Sequence, residues 1–240
     1  MRIGLIGYGK MGKAIEAIAL ERGHQISWKV SSENPLNLQD FSLVDCVIEF
    51  TKPQIAVENI KKSLNQDTPI IVGTTGWNDY LNEVSEICND LNGTLLYASN
   101  FSVGVNIFFQ INERLAQLMS KQTEYTAKLE EIHHVQKIDS PSGTAITLAN
   151  GILENNDSYM SWVCGENEDP YVNENQLGVT AYRVPNVPGK HSVEYKSEVD
   201  SIKITHEAFN RDGFALGAVL AAEWSIGKKG VFTMKDVLGI

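Results

Sequence analysis

Cysteine is scarce: Cys46, Cys88 and Cys164 are the only three, and no two of them form a CxxC pair. That argues against a disulfide scaffold or a cysteine-ligated zinc ribbon, and scattered thiols suit a reducing compartment. Positive charge is also short. Lys and Arg number 20 against 30 Asp and Glu, a formal net charge of -10. Binding to a phosphate backbone needs clustered cations, so a nucleic-acid partner is not expected. A local cationic pocket can override the overall sign, which leaves a small anionic substrate open. No apolar run approaches the ~20 residues of a membrane span. A strand pattern begins at Ile3 and leaves no room for a signal peptide. The expectation is a cytoplasmic protein without a membrane partner. Disorder is excluded by 42% hydrophobic and 21% charged residues, and 240 residues suffice for one or two packed domains.

What is present has an order. Short Ile/Val/Leu-rich runs at 3–6, 26–30, 46–50, 69–72 and 94–98 read as buried strands. Between them, 13–22, 54–64 and 78–91 carry helical periodicity, closed at Gly23 and at Asn92-Gly93. Alternating strands and helices build a parallel, doubly wound sheet, the Rossmann-like α/β plan. The pattern changes after Phe101. A long helix at 105–120, a strand at 125–132 and a helix at 144–153 precede strand-like runs at 159–164, 177–184, 192–197 and 201–206. Strands without helices between them suggest a second α+β domain with an open mixed or antiparallel sheet. An acidic run at 166–175 reads as a surface loop, and the Ala-rich helix at 213–226 returns to the first domain. The expected division is 1–102 completed by 210–240, and 103–209.

Gly7-Tyr8-Gly9-Lys10-Met11-Gly12 follows the first strand and opens the first helix, the context a dinucleotide fingerprint requires. Gly7 permits the tight turn, Gly9 lets the backbone approach a pyrophosphate, and Gly12 permits close packing. The helix N-terminus adds N–H groups and a favourable dipole. An acid at the tip of the second strand would select NADH through the ribose hydroxyls. Here the tip is Ser31-Ser32, with Glu33 beyond, and Lys29, Ser31 and Ser32 suit a 2′-phosphate, so NADPH or NADH stays open. Two further loops, Gly73-Thr74-Thr75-Gly76 and Ala98-Ser99-Asn100-Phe101, follow predicted strands and suit a nicotinamide ribose; they also read as ordinary strand-to-helix turns.

The chemistry concentrates in Glu131-Ile132-His133-His134-Val135-Gln136-Lys137-Ile138-Asp139-Ser140-Pro141-Ser142-Gly143-Thr144-Ala145. Pro141-Ser142-Gly143-Thr144 reads as a helix start with proline near its first position and hydroxyls able to cap. Its N–H groups, with His134, Lys137 and Thr144, make a site for a small dicarboxylate. His133 is then a candidate general acid and Lys137 a cation for charge that develops on the substrate. The plainer readings are a structural strand-end histidine, a His-His metal pair and a solvated lysine. No further ligand stands at zinc-like spacing, so no metal is expected. His24, His191 and His206 lack such company and read as structural.

The run His133-His134-x-x-Lys137-x-Asp139-x-Pro141-Ser142-Gly143-Thr144-Ala145 resembles the signature of the dihydrodipicolinate reductase family. The resemblance extends to the glycine motif, Gly73-Thr74-Thr75-Gly76, Asn100-Phe101-Ser102-Val103-Gly104-Val105, Ile204-Thr205-His206, Phe214-Ala215-x-Gly217-Ala218 and Phe232-Thr233-Met234-x-Asp236-Val237-Leu238. It implies reduction of 4-hydroxy-tetrahydrodipicolinate to tetrahydrodipicolinate, with loss of water and hydride from the nicotinamide, in lysine and diaminopimelate biosynthesis. It further implies His133 as proton donor, Lys137 as second catalytic residue, and His134, Gly143 and Thr144 on the substrate carboxylates. Gly7 to Gly12, Gly73 to Thr75 and Ala98 to Phe101 would hold the cofactor, in a homotetramer joined through the second domain's sheets. Two departures stand out: Ser31 replaces an acid, and Arg183-Val184-Pro185 stands where the family often has Arg-Gly-Gly or Arg-Ala-Gly. A dehydrogenase of another amino dicarboxylate, or a non-catalytic nucleotide sensor, would share the plan but has no need of the whole His133-to-Thr144 set.

Overall fold

Runs such as Cys46-Val47-Ile48 are apolar at every position because both faces of their sheet are covered. The computed structural model describes all 240 residues and resolves into two units, Met1–Val103 with Arg211–Ile240, and Gly104–Asn210.

The first unit is a six-stranded parallel sheet in the order β11-β5-β4-β3-β1-β2. Its strands are β1 (Arg2–Ile6), β2 (Gln25–Val30), β3 (Cys46–Glu49), β4 (Ile70–Val72), β5 (Thr94–Tyr97) and β11 (Gly230–Phe232). Helices α1 (Lys10–Glu21), α2 (Pro53–Asn65), α3 (Leu81–Asp90), α6 (Asp212–Ser225) and α7 (Met234–Leu238) complete it. Successive strand side chains point to opposite faces, and two cores result. Ile3, Leu5, Cys46, Ile48, Ile71 and Leu96 pack with α1, α6 and Met234. Ile6, Val47, Ile70, Val72 and Leu95 pack with α2 and α3. Helix α6 is lined by Ala215, Gly217, Ala218, Ala221 and Ala222, all buried. A Cβ on Gly217 would lie 1.7 Å from the Phe101 carbonyl oxygen, so glycine lets this helix reach the backbone that follows β5.

The second unit holds α4 (Val103–Met119), whose first residue ends the first unit, β6 (Thr126–His133), α5 (Gly143–Asn155), β7 (Ser161–Glu166), β8 (Gln176–Arg183), β9 (Gly189–Lys196) and β10 (Ser201–Ala208). Its mixed sheet runs β10-β9-β6-β8-β7, antiparallel at β10/β9 and β9/β6 and parallel at β6/β8 and β8/β7. Phe108, Ala116 and Met119 of α4 and Leu148, Ala149 and Ile152 of α5 pack on Leu129, Val179 and Val193. The acidic run after β7 does more than form a surface loop. Asp169 accepts the Thr180 hydroxyl at 2.7 Å, and Pro170 lies over Gly165 and Gly178, so the run crosses the sheet between two parallel strands.

Three local expectations shift. Helix α1 begins at Lys10 rather than residue 13, because Gly9 serves as N-cap without needing apolar periodicity. The expected helix 78–91 opens as a 3-10 turn, Asn78–Tyr80. The short β11 and α7 carry no periodic signal and become legible only when Gly230 pairs with Thr94.

Candidate active site

In the first unit, the turn from β1 into α1 brings backbone very close to backbone. Gly7 has φ of +96°, and a Cβ there would meet the Phe50 carbonyl oxygen at 2.0 Å; one on Gly12 would meet the Gly7 carbonyl oxygen at 2.3 Å. Gly9 differs. A Cβ there would meet nothing within 4 Å, no side chain caps the helix, and no acid lies in its first turn. The first turn of α1 therefore offers uncapped N–H groups and a positive dipole beside open space. A cavity of about 460 Å³ adjoins it, lined by Gly9, Lys10, Met11, Gly12, Phe50, Thr51, Pro53, Gly73, Thr74 and Thr75. The lining comes from the carboxyl ends of β1, β3 and β4, where open α/β sheets bind ligands. The glycine cradle and these donors fit a dinucleotide pyrophosphate.

The structure thus brings the glycine motif and Gly73 to Thr75 together. Phe50, Thr51 and Pro53 were missed by sequence reasoning, although they follow a recognised strand and the same carboxyl-end rule would have found them. Ala98, Ser99, Asn100 and Phe101 do not line this cavity. Phe101 is buried against Phe50 with ring centres 5.8 Å apart, and the Asn100 side chain accepts the Ser102 N–H. Ser31 is exposed just past β2, its hydroxyl accepting the Glu33 N–H. Lys29 is engaged: its Nζ lies 2.5 Å from Glu16 and 4.7 Å from the centre of the Tyr8 ring, whose hydroxyl also bonds Glu16. Behind the cavity the Glu49 carboxyl, fully buried, accepts from Thr51 and Asn59, and burial raises its pKa.

In the second unit the signature surrounds one carboxylate. Residues 131 and 133 alternate with 130 and 132 along β6, so Glu131 and His133 share its buried face. Both Glu131 oxygens accept the Ser142 N–H at 3.1 Å, and Arg183 Nη1 lies 3.4 Å away. His133 Nδ1 is 3.5 Å and His191 Nε2 is 3.4 Å from Glu131 Oε2. His191 Nε2 is also 3.0 Å from the Ser142 hydroxyl, so a residue read as structural stands in the middle of the site. Sequence spacing gave no hint of it, since only the β6/β9 register sets Glu131 opposite His191. These bonds hold Glu131 at about 2 against the push of burial. Burial drives His133 down to about 4; Glu131 opposes that, while His191, Lys137 and Arg183 reinforce it.

Ser142 is the N-cap of α5, its hydroxyl accepting the Ala145 N–H at 3.2 Å. Gly143 opens the helix, and Pro141 stands before the cap instead of inside the first turn as expected. No acid occupies the first turn, so its dipole favours an anion. Thr144 is in that turn, and the His134 Nδ1 is buried without a protein partner. Lys137 Nζ holds both Asp139 oxygens at 2.8 and 2.9 Å, an internal carboxylate where a ligand's could sit. Arg183 donates to the Asp139 carbonyl at 2.7 Å and so braces the same loop. Glu131, His133 and His191 also present three ligand atoms within 4.8 Å of one another. Ser142 N–H and the Arg183 guanidinium already use the carboxylate and supply its counter-charge, which favours a hydrogen-bonded network over a cation.

Comparison with known proteins agrees over the whole chain. Residues 1–101 match the family model for the dihydrodipicolinate reductase N-terminus and residues 104–238 the model for its C-terminus. A 4-hydroxy-tetrahydrodipicolinate reductase of Christiangramia forsetii is 47% identical over 239 residues, covering 99% of this chain and 98% of that protein. One from Methanoregula boonei is 36% identical over 197 residues, covering 82% and 75%. A solved dihydrodipicolinate reductase of Paenisporosarcina sp. TG-14, with dipicolinate bound, covers 97% of each chain at TM-score 0.75 and 20% identity, which shows a shared fold. Aspartate semialdehyde dehydrogenase II of Vibrio cholerae shares the general plan at TM-score 0.53 and 10% identity. The site motifs and the full-length matches place this chain in the dihydrodipicolinate reductase family.

Proposed function

We propose that this chain reduces 4-hydroxy-tetrahydrodipicolinate to tetrahydrodipicolinate, with hydride from NADPH or NADH and release of water, as a step of lysine and diaminopimelate biosynthesis. The observation that carries the reading is 47% identity to a reductase of that name over nearly the full length of both chains. The nicotinamide cofactor, when bound, supplies the hydride. Gly9, Lys10, Met11 and Gly12 would hold its pyrophosphate at the α1 N-terminus, and Gly73, Thr74 and Thr75 line the same cavity. No carboxylate stands at the first position after β2 to repel a 2′-phosphate, and Ser31 offers a hydroxyl, so both cofactors are admitted.

The substrate's carboxylates dock on Gly143 and Thr144 at the start of α5, with His134 as a further donor. Lys137 exchanges the Asp139 carboxylate for one of the substrate's. Hydride addition places negative charge on the ring, and His133 delivers the proton that neutralises it. We further propose a cytoplasmic homotetramer built through the mixed sheets. The test is a coupled assay with freshly made substrate, following oxidation of NADH and NADPH separately by nicotinamide absorbance. Turnover with either is the expected result; a folded protein that binds nucleotide and oxidises neither sinks the proposal.

A further inference from the structure

Glu131 has no role in that reaction, yet it is fully buried and lies against Ser142, Arg183, His133 and His191. A buried carboxylate is costly unless paired and hydrogen-bonded. Ser142 N–H and Arg183 keep this one charged. The two nitrogens of His133 consequently differ. Nδ1 is buried, makes no hydrogen bond, and faces Glu131 Oε2 at 3.5 Å. Nε2 lies on the opposite side of the ring, beside Gly189, where an added Cβ would come within 3.0 Å of it. The His191 ring stands edge-on to His133, with centres 5.0 Å apart, and ties Glu131 to the Ser142 hydroxyl.

We infer that Glu131, supported by His191, is the positioning residue of this site: it keeps a proton on His133 Nδ1 and so assigns Nε2 as the atom that transfers the proton. The inference rests on the reductase reading. In the step, the imidazolium breaks its Nε2–H bond and the substrate ring that has accepted the hydride forms the new bond to that proton. The residual neutral imidazole keeps its Nδ1–H toward Glu131, which stays a carboxylate throughout. Through the Ser142 N–H the same carboxylate anchors the cap of α5, so one residue holds both the proton donor and the carboxylate-binding helix start. The other charged or titratable groups facing His133 are His191 of β9, Arg183 of β8 and Lys137 of the following loop.

The test uses the full-length enzyme with Glu131→Gln and Glu131→Asp. Nitrogen NMR of the imidazole-labelled, ligand-free protein reads the tautomer without any turnover. The Nδ1–H form of His133 is expected in the unsubstituted protein, depleted by Gln and restored by Asp. In the assay, Glu131→Gln should lower kcat by roughly 10²–10⁴-fold, the range for misorienting a catalytic histidine. The pH above which kcat declines should also fall by about one unit or more, because the anion that favours imidazolium in the substrate complex is gone. A merely structural Glu131 would lower activity and leave tautomer and pH limb in place, and that result overturns the inference. Should the Gln variant not fold, the unsubstituted protein still decides: a His133 carrying its proton on Nε2 overturns the inference by itself. Absence of turnover with both nucleotides in the unsubstituted protein would instead sink the reductase reading, and the NMR result would still judge Glu131.

Discussion

In the ligand-free protein His133 titrates at about 4, so near pH 7 only about one molecule in a thousand carries the imidazolium that can donate a proton. A dicarboxylate on the start of α5 changes this. One carboxylate about 4 Å from the ring contributes about 4 kcal/mol at an effective dielectric of about 20. That is about three pKa units, enough to bring His133 close to neutrality. Binding should therefore draw a proton from solution. Dipicolinate, a stable ring dicarboxylate, is the convenient probe. Calorimetric titration near pH 7, in buffers of different ionisation enthalpy, should show uptake of between about half a proton and one proton per site. Affinity should rise up to about tenfold for each pH unit lowered until His133 is charged in the free protein as well. His133→Gln should abolish the uptake while leaving nucleotide binding intact. Zero uptake, or equal uptake by the Gln variant, would refute the view that ligand charge loads the proton donor.

The remaining predictions address the cofactor side and the stability of the fold. Gly9→Val fills open space at the α1 N-terminus. It should weaken dinucleotide binding by at least about tenfold and cost no more than about 1 kcal/mol on unfolding; titration and thermal melting separate the two, and unchanged affinity would remove the glycine cradle from the site. Glu16→Ala frees the Lys29 ammonium, which Glu16 now holds at 2.5 Å. The NADPH to NADH ratio of kcat/KM should then rise several-fold, and an unchanged ratio would place Lys29 away from the 2′-phosphate. Acid should weaken the fold in two stages. The His133 pKa is depressed from 6.5 to about 4, so the unfolded chain takes up its proton first and stability falls as pH drops through that window. The loss is on the order of 3 kcal/mol. Glu131, depressed from 4.5 to about 2, extends the decline below the His133 window. Unfolding in urea across pH checks this, and His133→Gln should flatten the upper stage.

Much of the architecture was legible along the chain. The runs at 3–6, 46–48 and 70–72 are apolar at every position because helices cover both faces, and Gly7, Gly9 and Gly12 occupy a strand–turn–helix context that few other functions use. The segment from His133 to Thr144 likewise announced itself, since cations, a histidine pair and a helix cap seldom share so short a stretch of a net-acidic chain. Less was readable where partners are distant. Phe50, Thr51 and Pro53 reach the nucleotide cavity only because β3 lies between β1 and β4. Phe101, grouped with the cofactor loops by its motif, has its ring against Phe50 and its carbonyl against Gly217, packing that its motif does not show.

Local patterning therefore determined the two domain types, the glycine turn, the capped start of α5 and the choice of His133 to Thr144 as the segment proposed to carry the chemistry, because each depends on neighbours within a few residues. Tertiary structure alone decided that Glu131 is the buried centre of the site, that His191 and Arg183 join it from separate strands, and that Lys29 is held by Glu16. Those pairings follow from strand register and from the cost of burying a charge without a partner, neither of which leaves a mark on the spacing of residues along the chain.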